Sequence, residues 1–115
     1  MPGVAPFWIW MLRGAAAYNL VIAAGSFLVP GTSVSDRVVA LLVGCFGLVY
    51  AMVSREPERL APVLWTGVVG KLGVVALMLP EVQAGRAVPG TGWILLGDAL
   101  FTLLFVAFLL RGRRA

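Results

Sequence analysis

The chain has 115 residues, 61% of them hydrophobic and only 12% charged, where a soluble domain carries about 25% charged residues. A water-soluble fold of this size leaves much of its surface wet, so the composition excludes an ordinary soluble domain and points to an all-α, single-domain bundle of four transmembrane helices. Nine Lys and Arg face five Asp and Glu, a net charge of +4; the positive residues sit in short links and at the C-terminus, not on a wet basic stripe, which excludes nucleic acid as a partner.

The first apolar segment is predicted over about residues 7–29, long enough to cross a bilayer at about 1.5 Å per residue. It lacks a Lys or Arg before its apolar run, is interrupted by Arg13, and exceeds the roughly 7–15 residues of a signal-peptide core. It is therefore expected to be a retained helix, with no soluble domain before or after the bundle. Pro30-Gly31 ends it. Ser35 or Asp36 is placed to cap the next helix.

The second segment is predicted over about residues 37–53. Its valines are modest helix formers in water, but in lipid a helix is the segment's way to satisfy its own backbone. Cys45, the only cysteine, allows no internal disulfide and reads as a small buried apolar residue. The charged link Ser54-Arg55-Glu56-Pro57-Glu58-Arg59 must lie outside the hydrocarbon.

The third segment is predicted over about residues 61–79, with Pro62 tolerated in its first turn and Pro80 closing it. A turn-rich link through Arg86, Pro89 and Gly90 follows. The fourth segment is predicted over about residues 93–110, and Arg111, Arg113 and Arg114 form a basic tail. Gly67, Gly70 and Gly73 form a small-residue stripe on the third helix, as do Gly44 and Gly47 on the second and Gly14, Ala15 and Ala17 on the first. Helix packing is their expected role.

Orientation follows from the basic residues. Arg55, Arg59, Arg111, Arg113 and Arg114 share one side of a four-span chain, against Arg37 and Arg86 on the other. This places both termini and the middle link in the cytoplasm of a multi-pass inner-membrane protein. Trp8, Trp10, Tyr50 and Trp65 then fall near the cytoplasmic interface and Trp93 near the opposite one, as aromatic anchors.

Ionisable side chains inside predicted spans are the residues to examine, because each costs at least about 2.5–3.5 kcal/mol at a helix centre. There are three: Arg13, Lys71 and Asp98. Lys71 lies roughly 15 Å from the cytoplasmic edge and Asp98 roughly 20 Å from it, on antiparallel neighbours. A lysine side chain closes that difference, so a Lys71–Asp98 ion pair is predicted inside the bundle. The pair could fix helix register alone or form a mid-membrane polar site. Arg13 is expected to snorkel to the cytoplasmic edge and meet Glu56 or Glu58. Asn19, at mid-depth, is expected to hydrogen-bond between helices. Asp98, Phe101, Thr102 and Phe105 share one helix face.

No catalytic constellation, phosphate loop or metal-ligand spacing is visible. With no histidine and a single cysteine, a zinc or haem site has almost no ligands to draw on.

Arg13 early in the first helix, Arg55 and Pro57 as an Arg-x-Pro in the middle link, Gly70-Lys71 in the third helix and Asp98 opening the fourth, with Phe105 after it, resemble the small DoxX-like membrane proteins of bacteria. The resemblance covers nearly the whole chain through short motifs. That family usually shows Asn before the Asp, then tryptophans and a proline, where this chain has Gly97, Phe101, Thr102 and Leu104. The resemblance implies a four-helix fold and association with membrane complexes that handle sulfur or oxidative stress, often through quinones.

The leading expectation is a non-enzymatic accessory protein or subunit of a membrane complex. It binds a quinone-like or lipid molecule near Lys71, Asp98, Arg13 and Asn19, with membrane lipids, a second copy or another membrane protein as partners. The alternative is a small dimeric proton-coupled transporter, which would need charges at mid-membrane. An enzyme acting on lipophilic substrates would need Lys71 as nucleophile or base, on the weak signal of a lone lysine.

Overall fold

The computed structural model describes residues 3–112, so the expected tail residues Arg113 and Arg114 lie outside it. Helix α1 spans Pro6–Phe27 and α2 Val34–Arg55. A single turn, α3 (Pro57–Leu60), leads through a 3-10 turn at Ala61–Val63 into α4 (Leu64–Gln83). Helix α5 spans Thr91–Leu110. Four helical stretches, the third running from Pro57 to Gln83, are long and apolar enough to cross a membrane.

Each helix starts and stops for a local reason. Pro6 opens α1, where the missing N–H of proline is no loss. Helix α2 begins earlier than expected because Ser33, rather than Ser35 or Asp36, caps it, accepting from the Asp36 backbone N–H at 3.1 Å. It also runs on to Arg55, so the charged middle link shrinks to Glu56. Pro57 starts α3 at once. Pro80 does not close α4. It forfeits one backbone bond near the helix end, and the helix continues to Gln83 with Arg86 folded back on Glu81. Gly90 precedes α5 with φ 93°, a left-handed conformation that glycine adopts without strain.

The helices pack as two antiparallel hairpins, α1 with α2 and α4 with α5. Gly47 brings α2 against Ala16, Asn19 and Leu20 of α1, and Gly44 brings it against Ala23. On α4 the small-residue stripe is only partly used. Gly67 lies against the Tyr50 ring, whereas Gly73 has open space where a side chain would be. A side chain at Gly14 would likewise meet open space, while Ala15 is fully buried.

The core occupies one half of the bundle, the end that holds the start of α1 and the end of α5. Leu12, Ala15, Ala61, Leu64, Phe105 and Phe108 are fully buried there, with Tyr50 and Val53 beside them. Outward faces are apolar on every long helix: Val21, Val34, Leu77, Trp93 and Leu103 are all at least 70% exposed. A soluble bundle covers its outer face with polar residues. This surface fits a multi-pass membrane protein.

Two expectations about side-chain placement are corrected. Cys45 is exposed rather than buried, because it follows Gly44 on the side of α2 turned away from the core. Tyr50 is not an interface anchor. It is 1% exposed and packs on Phe105 with ring centres 4.9 Å apart. Trp10, Trp65 and Trp93 do lie outside, and Trp8 is half-buried against Phe108.

Candidate functional site

Above the packed half, three polar side chains from three helices meet. Lys71 on α4 donates to Asp98 Oδ1 on α5 at 2.7 Å and to Asn19 Oδ1 on α1 at 3.0 Å. Asn19 in turn donates from Nδ2 to the Val43 carbonyl of α2 at 3.1 Å. Its amide orientation is therefore set by both bonds, and the cluster ties all four long helices together. Lys71 and Asp98 are 6% and 8% exposed. A pair this deep in low dielectric is retained only with close geometry and further hydrogen bonds, and Asn19 supplies one.

Aromatic rings complete the surroundings of the ammonium. Lys71 Nζ lies 5.2 Å from the Tyr18 ring centre, 5.6 Å from that of Tyr50 and 5.8 Å from that of Phe101. Each ring face attracts a cation by about 0.5–2 kcal/mol. Two close approaches allow this enclosure. Tyr50 fits against Gly67, and Tyr18 against Gly97, where any Cβ would collide with the rings. Tyr18 is further held by its hydroxyl, which donates to the Ile94 carbonyl at 2.5 Å. Thr102 turns its hydroxyl onto the Asp98 carbonyl at 2.7 Å, so it steadies the backbone and leaves the carboxylate to Lys71.

This cluster floors a cavity of about 310 Å³ between the two hairpins. All four long helices line it: Asn19 and Ile22 of α1, Leu42 and Phe46 of α2, Gly70, Lys71 and Val74 of α4, Ile94 and Asp98 of α5. Small-molecule sites begin at about this size and are lined mostly by apolar groups with a few placed polar ones. The cavity extends from Lys71 toward the end that holds the links 28–33 and 84–90. Its outer lining residues Val39, Leu42 and Val74 are 59%, 54% and 44% exposed, so it opens sideways to the outer surface of the bundle.

Of the four residues singled out in the sequence, the structure brings Lys71, Asp98 and Asn19 together and leaves Arg13 apart. The Arg13 side chain is exposed and lies over the Trp10 ring, 4.9 Å from its centre. It does not meet Glu56, which instead holds Arg59 through two hydrogen bonds of 2.8 and 2.7 Å. That contact lowers the Glu56 carboxyl below its ordinary pKa. Among the described residues no group of three His, Cys, Asp or Glu side chains converges. Tyr18 and Tyr50 belong to the site and were not singled out from sequence.

No family model, no curated protein and no solved structure matches this chain.

Proposed function

We propose that the chain is a small non-enzymatic protein of the bacterial inner membrane, an accessory or subunit of a membrane complex, that binds a lipophilic molecule beside Lys71 and Asp98. The observation that carries the reading is an apolar cavity, open sideways between helices, with a single buried polar cluster at its floor. A lipid-like or quinone-like molecule has the matching shape: an apolar body for the walls and a polar head for the floor.

The charge bias of the links supports both termini on the cytoplasmic side. The cavity then opens toward the opposite leaflet. The DoxX-like resemblance carried by Arg13, Arg55, Pro57, Gly70, Lys71 and Asp98 supports membership in a redox-associated membrane complex. Membrane lipids, a second copy or another membrane protein would cover the outer faces. The densely packed half beneath Lys71 weighs against a proton-coupled transporter, which needs access from both sides.

Native mass spectrometry of protein gently extracted from its own membrane tests this. One lipophilic molecule should leave with the wild type. It should be lost in Gly70→Leu, whose added side chain enters the cavity while its Cβ meets only ordinary contact with Phe46. An empty wild type, or a molecule retained equally by a folded Gly70→Leu, would refute a binding role for the cavity.

A further inference from the structure

The polar atoms at the cavity floor are not all occupied, and the ones left over specify a head group. Lys71 is already satisfied by Asp98, Asn19 and three ring faces. Tyr18 is satisfied by the Ile94 carbonyl. Among the described residues, the Tyr50 hydroxyl and the second carboxylate oxygen of Asp98, Oδ2, make no hydrogen bond. Yet no buried side-chain nitrogen or oxygen there is sealed off without a partner. Each of the two atoms therefore keeps some accessible surface, and both residues line the cavity. Tyr50 as a whole is 1% exposed, so that opening is the outlet for its hydroxyl.

One is a donor and the other an acceptor. Both residues border the Lys71 ammonium, whose Nζ is 2.7 Å from Asp98 Oδ1 and 5.6 Å from the Tyr50 ring centre. A hydroxyl accepts and donates at a single atom. Charge narrows the class further. Asp98 balances Lys71, so an anionic head would bring a second negative charge beside Asp98 in a low-dielectric site, and a cationic head would meet Lys71.

We infer that the cavity takes a neutral lipophile whose head carries a hydroxyl, accepting from the Tyr50 hydroxyl and donating to Asp98 Oδ2. This rests on the reading of the cavity as a ligand site. Tyr50 then selects the head group, while the apolar walls accept the chain with little discrimination.

Three probes with one chain and different heads test it: oleyl alcohol, methyl oleate and oleate. Each is titrated into the purified full chain in nanodiscs, and bound stoichiometry is read by native mass spectrometry. Oleyl alcohol should bind one to one, at least about fivefold tighter than methyl oleate, which only accepts, and than oleate, which is charged. Tyr50→Phe keeps the ring packed on Phe105 and should remove most of that preference. Methyl oleate or oleate binding as well as the alcohol, a preference unchanged in Tyr50→Phe, or no binding of the alcohol would overturn the inference. Gly70→Leu separates the two levels. If it abolishes binding of all three but Tyr50→Phe changes nothing, the cavity binds lipophiles without reading a hydroxyl. If folded Gly70→Leu binds all three as before, binding lies elsewhere and both readings fall.

Discussion

Lys71 and Asp98, 27 residues apart in the chain, meet at 2.7 Å with both side chains almost entirely buried. Their contact joins α4 to α5, and Asn19 extends it to the other hairpin. Removing one partner leaves the other charge uncompensated. Asp98→Asn is expected to destabilise the protein by about 3–5 kcal/mol. The double variant Lys71→Met/Asp98→Leu, which removes both charges, should recover most of that loss. Denaturation in detergent, read by circular dichroism as a double-mutant cycle, checks both expectations.

The glycines of α4 separate by what stands opposite them. At Gly67 a Cβ would lie under 3 Å from Tyr50, whose ring is held by Phe105. At Gly73 it would meet nothing within 4 Å. Gly67→Ala should cost about 1–3 kcal/mol through overpacking, whereas Gly73→Ala should be neutral or stabilise by up to about 1 kcal/mol. The same unfolding assay distinguishes them, and equal effects would contradict the α2–α4 contact described.

Cys45 makes a simple check on helix rotation. Because it is exposed, Cys45→Phe should be accommodated within about 0.5 kcal/mol. A buried cysteine enlarged in this way would cost about 1–3 kcal/mol. Melting temperatures of the two proteins in the same detergent decide the matter.

The Glu56–Arg59 contact gives a pH dependence of known sign. The folded Glu56 pKa lies below the ordinary value of 4.5 because Arg59 hydrogen-bonds the carboxylate and attracts its charge. Its contribution is therefore present above the unfolded pKa and is lost as pH falls through the folded one. Both groups are solvent-exposed, so the effect is small and screened by salt. In Arg59→Gln the fall in melting temperature below pH 4.5 should be shallower at low ionic strength. The two proteins should converge at about 1 M salt, where the screening length is about 3 Å.

Much of this arrangement is legible in the sequence because helix rise is a constant. Depth along an apolar segment can be counted, so the meeting of Lys71 with Asp98 follows from residue number and antiparallel order. What counting does not give is rotation about the helix axis. In segments apolar all round, no polar face marks which side turns inward. Tyr50 illustrates the loss: its distance from the end of α2 suits an interface anchor, but its azimuth points it at Lys71. Arg13 shows the converse: its depth suits Glu56 or Glu58, but its face of the helix leads to Trp10. Tyr18 enters the site through Gly97, a residue whose role depends on a ring from another helix. The helix ends shifted for local reasons, at Ser33 through its cap and at Pro80 through the low cost of one lost bond near a terminus.

The proposed ligand fills the gap that separates the two hairpins above Lys71. Electron cryomicroscopy of the protein, extracted with its native lipid, tests this occupancy. Elongated non-protein density is expected between α2 and α4, ending beside Tyr50 and Asp98. Helices α2 and α4 packed together above Gly67, with Phe46 and Val74 filling the cavity, would contradict it.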